Sequence, residues 1–177
     1  MACSGRGSAG RVEPVYDPRT GKLQAIGYDS NGNGKIDTYS YMDAGRTVRM
    51  EIDRNEDGKI DQWQYYDANQ KIEKLGFSLR NDGVEDAWTY LGPDGAVVRV
   101  ESSPRRDGRM SRVERYEGGR LASAEEDTDG DGHPDKWETY VDGRLASVEF
   151  DLTHRGKPDR RIVYDAEGNA RVESLSP

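Results

Sequence analysis

The sequence predicts an all-β protein built from tandem β-hairpin repeats of 24–25 residues, which form an extended twisted antiparallel sheet or solenoid with acidic loops along one edge. Three observations support this fold class. A nine-residue acidic motif with an internal glycine recurs six times in the 177 residues. Runs in which aromatic or β-branched residues alternate with polar ones flank each copy, as in β-strands. Turn-forming residues separate the two runs of each repeat, so that each repeat makes one hairpin.

The composition also favours a repeat array. Hydrophobic residues make up 33% of the chain and charged residues 34%, which is lean for a globular core and would suggest disorder. However, 10 Tyr and 3 Trp recur at fixed intervals, whereas disordered chains are poor in aromatic residues. In a repeat array each unit buries only a thin layer against its neighbours, which fits this composition.

The charge excludes some classes of partner. The formal net charge is -8, so the surface repels nucleic acid and attracts cations. No run of 18 apolar residues occurs, and we therefore predict no transmembrane segment.

The N-terminus carries one possible targeting signal. We expect residues 1–11 to form a flexible tether and residues 12–177 a single β-hairpin repeat domain. The segment ACSG at residues 2–5 resembles the end of a bacterial lipoprotein signal, in which a small residue precedes the acylated cysteine. This resemblance implies a lipid anchor at Cys3 and an outer-membrane or periplasmic location, with secretion as an alternative. An incidental cysteine in a flexible N-terminus is the competing interpretation.

The acidic motifs align on their glycine, and they start 24 or 25 residues apart. We call them the first to sixth loops and number the residues of each loop from 1 to 9, so that glycine occupies position 6 in all six. The loops are 29–37 (DSNGNGKID), 53–61 (DRNEDGKID), 78–86 (SLRNDGVED), 103–111 (SPRRDGRMS), 127–135 (DTDGDGHPD) and 151–159 (DLTHRGKPD).

Residue parity within the strands predicts which side chains lie on each face of the sheet. We expect the aromatic residues of the first strands, such as Trp63 and Tyr65, to share a face with the apolar residues of the second strands, such as Met50 and Ile52. The opposite face, which carries Gln64, would be polar. The sequence leaves open whether the apolar face coils, closes on itself or pairs with a partner, and an extended meander or solenoid is the favoured arrangement.

The loop pattern Asp-x-Asn/Asp-x-Asn/Asp-Gly-x-x-Asp suits Ca²⁺, which takes six to eight oxygen ligands at roughly 2.3–2.6 Å. Side chains at positions 1, 3, 5 and 9 and the backbone carbonyl at position 7 would supply the oxygens. The first loop has only two carboxylates, so we expect weaker binding there. The predicted ligands are Asp29, Asn31, Asn33, Lys35 and Asp37 in the first loop, Asp53, Asn55, Asp57, Lys59 and Asp61 in the second, and Asp127, Asp129, Asp131, His133 and Asp135 in the fifth.

The remaining three loops carry arginine where a ligand is needed. Arg80 and Arg105 stand at position 3 of the third and fourth loops, and Arg155 at position 5 of the sixth. A guanidinium there would repel a cation and replace it by pairing with the remaining acid. We expect these loops to be metal-free versions of the others. For the complete loops, the competing interpretation is a set of Asx-turns that only reverse the chain.

The motifs resemble known families. The loops look like the calcium loops of EF-hands, dockerins and thrombospondin type 3 repeats, but a strand pattern stands where an EF-hand has its flanking helices. Position 12, which holds a bidentate Glu in EF-hands, is Ser40, Gln64 and Glu138 in the three complete loops. The hairpin sequence WQYYD at 63–67 resembles MORN-type bacterial repeats. The combination over residues 15–174 is similar to acidic-loop repeat lipoproteins of Gram-negative bacteria, which implies an extracytoplasmic protein of the cell envelope.

The sequence offers no catalytic motif around its two histidines, His133 and His154, and we predict that the chain is not an enzyme. The expected function is that of a calcium-binding structural or adhesive repeat module that contacts another protein or a cell-surface component. One alternative is a calcium-dependent carbohydrate-binding module that uses Trp63, Trp88 and Trp137 as a ladder. A calcium buffer or sensor is another.

Overall fold

The prediction of an all-β hairpin fold is confirmed by a computed structural model that describes residues 11–175. This part of the chain contains fourteen strands and no helix, and therefore no helix that could cross a membrane. Cys3 and most of the predicted tether lie outside the described residues. The strands are β1 (Val12–Tyr16), β2 (Leu23–Tyr28), β3 (Thr38–Asp43), β4 (Arg46–Ile52), β5 (Gln62–Tyr66), β6 (Ile72–Phe77), β7 (Ala87–Leu91), β8 (Val97–Ser102), β9 (Arg112–Glu117), β10 (Arg120–Glu126), β11 (Lys136–Val141), β12 (Arg144–Phe150), β13 (Arg160–Tyr164) and β14 (Ala170–Ser174).

The chain divides into two compact units, with the boundary between Glu85 and Asp86. The first unit contains β1–β6 and the second β7–β14. Within each unit every strand pairs antiparallel with its neighbours in sequence. Among the described residues of each unit, strands contact only these sequence neighbours, so each unit is a single-layered meander.

The two faces of the meander differ from the prediction. Met50 lies opposite Gln64 on the neighbouring strand, whereas Trp63 lies opposite Glu51. Each face therefore mixes apolar side chains of one strand with polar side chains of the next, and the expectation of one apolar and one polar face is wrong. Parity shows which residues of one strand share a face, but the phase between strands depends on loop and turn geometry. A register shift before Tyr66, close to the hairpin turn, is one such adjustment.

Long polar side chains cover the aromatic rings of the first unit. The Arg49 guanidinium lies 4.4 Å from the centroid of the Tyr41 ring, and Lys74 Nζ lies 4.0 Å from the centroid of the Tyr65 ring. The Tyr41 hydroxyl donates a hydrogen bond of 2.9 Å to Glu51. Cation–π contacts and buried aliphatic stems let one layer protect its rings without a second layer above it. The second unit repeats this arrangement with Arg99, Tyr90 and Glu101.

Candidate metal sites

Two positions of every acidic loop have left-handed backbone. The glycine at position 6 has φ between 77° and 95° in the six loops, as expected for a sharp turn. Position 4 also has positive φ in all six loops, which the sequence does not reveal because only two of the six residues are glycine. The position-4 residues are Gly32 (φ 77°), Glu56 (56°), Asn81 (51°), Arg106 (59°), Gly130 (88°) and His154 (54°).

The three loops with a complete ligand set share one hydrogen-bond pattern. The position-1 carboxylate accepts the N–H of position 6 at 2.6, 2.8 and 3.0 Å in the first, second and fifth loops. The position-3 side chain accepts the N–H of position 5 at 3.0 Å in each loop. The position-5 side chain accepts the N–H of position 7 at 2.9, 2.9 and 2.7 Å. The position-9 carboxylate accepts the N–H of position 2 at 3.0, 2.8 and 3.2 Å. These bonds hold each loop in shape, and the side-chain oxygens keep lone pairs that a cation can use.

The fifth loop brings three carboxylates together. Oxygens of Asp127, Asp129 and Asp135 all lie within 4.8 Å of one another, and Asp127 and Asp135 are buried. A second group with the same spacing joins Asp129 and Asp131 to His154 of the sixth loop. The structure thus places four predicted ligands of this loop in two overlapping groups.

The position-1 acids of the first and fifth loops have lowered pKa values. Burial raises the pKa of Asp127, but hydrogen bonds from the N–H groups of Gly130 and Gly132 and the nearby charge of Arg105 outweigh it, so the pKa is lowered overall. The pKa of Asp29 is likewise lowered, because backbone N–H groups of its own loop outweigh the effect of burial. Both loops therefore present anionic ligands at neutral pH.

The first loop contains no third carboxylate of its own. Asp29 and Asp37 are both buried, and the side-chain amides of Asn31 and Asn33 both donate to Glu56 of the second loop. The carboxylate that faces this loop therefore comes from its neighbour, a contact that the loop motif does not reveal.

The second loop is more open than the fifth. Within the described chain, Asp53, Asp57 and Asp61 do not form a group as tight as that of the fifth loop. Asp61 Oδ1 is nevertheless buried without a hydrogen-bond partner, which suits an oxygen that would face a cation. Asp159 Oδ2, at the same position of the incomplete sixth loop, also lacks a partner, so this feature belongs to position 9 and not to the complete ligand set alone.

The arginines of the fourth loop contact neighbouring loops. Arg105 donates to the backbone carbonyls of Asp127 at 3.1 Å and Thr128 at 2.9 Å, and its Nη1 lies 3.6 Å from Asp127 Oδ2. Its partners therefore belong to the fifth loop, and not to its own loop as the sequence suggested. Arg106 reaches the opposite neighbour and donates to Asp86 Oδ2 at 2.7 and 2.9 Å. This buried acid at position 9 of the third loop is thus neutralised by a guanidinium.

A charged cluster on the sheet of the second unit was not predicted. Glu138 is 8% exposed and accepts hydrogen bonds from Arg112 at 2.8 Å and from Tyr140 at 2.9 Å. Lys136 lies 2.8 Å from Glu138 and 3.1 Å from Glu126. Burial raises the pKa of Glu138, but these partners outweigh it and lower the pKa to about 2. The cluster joins neighbouring strands, and every charge in it has an opposite partner.

Comparisons with known proteins do not assign the chain to a family. No family model and no curated protein matches the chain. Among solved structures, the chain is similar to TarM, with 14% identity over 55% of this chain and 20% of that chain, and a TM-score of 0.42. A mutant S. aureus TarM in complex with Fondaparinux, alpha-GlcNAc-glycerol and UDP shares 12% identity over 62% of this chain and 21% of that chain, with a TM-score of 0.44. A complex of accessory secretory proteins from Streptococcus pneumoniae shares 17% identity over 83% of this chain and 20% of that chain, with a TM-score of 0.31. The chain thus spans about a fifth of the length of these structures.

Proposed function

We propose that the chain is a calcium-binding repeat module in which the first, second and fifth loops each hold one Ca²⁺ where two hairpins join. The observation that carries the proposal is the fifth loop, where oxygens of Asp127, Asp129 and Asp135 lie within 4.8 Å of one another. Three ionised carboxylates at that spacing repel one another strongly, and a cation between them removes the repulsion.

Calcium fits these loops better than magnesium does. Within each loop the expected donors are carboxylate, amide and carbonyl oxygens, which are the ligands of a hard cation. The donors lie on an irregular nine-residue loop, and Ca²⁺ accepts variable geometry, whereas Mg²⁺ requires a near-ideal octahedron. The incomplete loops hold no ion in this proposal, and in the third loop the Arg106 guanidinium neutralises Asp86 instead.

Calorimetric titration separates this proposal from loops that are only Asx-turns. Both interpretations explain the backbone hydrogen bonds of the loops, but only the first requires a bound cation. Protein stripped with a chelator and titrated with Ca²⁺ should bind two or three ions, with weaker binding of Mg²⁺ as the comparison. A Ca²⁺ titration of folded protein that shows no binding would contradict the proposal and leave the Asx-turn interpretation.

We further propose that the module is not catalytic and acts on the bacterial cell envelope, where it contacts another protein or a surface component. Loops of this kind in extracellular modules bind Ca²⁺ at roughly 10⁻⁴–10⁻³ M, which suits an extracytoplasmic setting. The proposed anchor is Cys3, because its sequence context resembles a lipoprotein signal. Metabolic labelling with a fatty acid in a bacterial host, with Cys3→Ser as the control, tests the anchor: label that remains in the variant contradicts it.

The carbohydrate-binding alternative receives less support from the three tryptophans. Trp63 is 8% exposed and lies in the sheet between Glu51 and Gly76. Only Trp88 and Trp137 are partly exposed. Trp63 therefore offers little ring surface on which a sugar could stack.

A further inference from the structure

We propose that the metal sites of the first and fifth loops each extend over two successive loops, with the residue at position 4 of the following loop supplying an additional ligand. This inference rests on the proposed calcium binding. It assigns Glu56 to the calcium site of the first loop and His154 to a transition-metal site on the fifth. These residues are absent from the motif of the loop that they would complete, so the motif alone does not reveal them.

The clearest contact is that of Glu56 with the first loop. Its Oε1 accepts hydrogen bonds from the side-chain amides of Asn31, at 2.6 Å, and Asn33. Its Oε2 lies 3.4 Å from Lys35 Nζ. Asn31 and Asn33 are the ligands expected at positions 3 and 5, so Glu56 reaches both of them at once. It thereby provides the third carboxylate that the first loop lacks.

The contact of His154 with the fifth loop is equivalent. His154 Nδ1 lies 3.1 Å from Asp129 Oδ2, and its imidazole shares the 4.8 Å group with Asp129 and Asp131. An imidazole nitrogen is a poor ligand for Ca²⁺ but a common one for Zn²⁺. The fifth loop is therefore expected to accept a transition-metal ion such as Zn²⁺ through His154, besides binding Ca²⁺ through its own oxygens.

The residue type at position 4 follows the state of the preceding loop. Glu56, Asn81 and His154 carry ligand atoms, and each follows a loop with the complete set. Arg106 follows the incomplete third loop and pairs with its buried acid. Gly130 follows the incomplete fourth loop, and a Cβ there would lie 3.1 Å from the Arg105 guanidinium carbon. A ligand thus appears where a cation is expected, and a guanidinium or no side chain where none is expected.

Backbone hydrogen bonds place successive loops close enough for a position-4 side chain to contact the preceding loop. The N–H at position 1 of the second loop donates to the Asp37 carbonyl at position 9 of the first loop, at 2.8 Å. The same bond joins Asp151 to the Asp135 carbonyl at 2.9 Å. Because these bonds hold adjacent loops in register, the position-4 side chains of Glu56 and His154 reach the loop before them.

Calorimetric Ca²⁺ titration of the Glu56→Gln variant tests the first assignment. Glutamine keeps the length and hydrogen-bonding capacity of the side chain but removes its charge. One class of site should weaken at least about tenfold, the factor that 1.4 kcal/mol of lost interaction produces, while the others keep their affinity. Glu167→Gln, in an exposed hairpin turn, is the matched control. Calcium binding by wild type together with an unchanged Glu56→Gln isotherm overturns the two-loop site only; no calcium binding by wild type overturns the proposed function as well.

Titration of the His154→Gln variant with Zn²⁺ tests the second assignment. Wild type should bind one Zn²⁺ that His154→Gln does not bind, while Ca²⁺ binding by the fifth loop persists. Circular dichroism verifies that the variants fold, and Glu167→Gln again serves as the matched control. A Zn²⁺ isotherm that is the same in wild type and His154→Gln, or wild type that binds no Zn²⁺, contradicts the role of His154.

Discussion

At the scale of single residues, backbone conformation explains why glycine recurs in every loop. The glycine at position 6 is readily predicted, because its left-handed φ is one that only glycine adopts without strain. Position 4 has the same sign of φ but carries Glu, Asn, Arg or His in four loops. These residues accept a strained backbone, which is consistent with side chains selected for their contacts with the preceding loop.

Replacement of Gly58 isolates the backbone contribution. Gly58 has φ 88°, and a Cβ there would meet no atom within 4 Å, so Gly58→Ala adds strain without a clash. We expect a loss of ~1–2 kcal/mol in the free energy of unfolding, measured with denaturant in the presence of chelator. Ala44→Gly, at a hairpin turn where alanine has φ 47°, should change stability in the opposite direction. If the free energy of unfolding changes in the same direction in both variants, this explanation is contradicted.

Removal of one fifth-loop carboxylate should remove one ion. Asp129→Ala deletes a group that lies within 4.8 Å of two other acids, and calorimetry should count one Ca²⁺ fewer than in wild type. The matched control is Asp107→Ala in the fourth loop, which has arginine at position 3 and is expected to hold no ion. If both variants keep the wild-type count, the assignment of the fifth loop fails.

At the scale of strands and hairpins, the sequence predicted the strands and turns correctly, but not which side chains share a face of the sheet. Alternation in runs such as Trp63 to Tyr66 correctly indicated strands, and turn residues such as Asp67 correctly indicated hairpins. The mixed faces were not predictable, because they depend on the phase between strands. The pairs Met50–Gln64 and Glu51–Trp63 show that this phase sets aromatic rings beside charges.

The charged cluster around Glu138 should make the second unit sensitive to acid. The folded pKa of Glu138 is lowered to about 2 from its ordinary value of 4.5. Ionised Glu138 therefore stabilises the fold above about pH 4.5, and this contribution is lost as the pH falls towards 2.

Unfolding of the Glu138→Gln variant measures this contribution. Between pH 6 and pH 3 wild type should lose more stability than Glu138→Gln, by on the order of 2 kcal/mol. Glu167→Gln, which alters an exposed turn, should follow wild type. Parallel pH profiles for wild type and Glu138→Gln would show that the cluster does not perturb the titration of Glu138.

At the scale of the whole chain, repetition joins fold and proposed function. Six loops at a spacing of 24 or 25 residues made the hairpin array and the ligand candidates predictable from the sequence. The contacts between loops were not predictable, because residues such as Glu56 and His154 lie in a different repeat from the ligands that they approach. With a net charge of -8, cations bound in the acidic loops would also reduce repulsion within the chain.

Thermal unfolding in excess Ca²⁺ and in excess chelator tests the central claim most directly. At ten times its Kd an ion adds roughly 1.4 kcal/mol, so three loops together would add about 4 kcal/mol. For a chain of this size that corresponds to a rise in Tm of about 10 °C. A rise of this order in Ca²⁺, and a much smaller one in Mg²⁺, is the predicted result. The same Tm in Ca²⁺ and in chelator would contradict calcium binding and leave the acidic loops as turns alone.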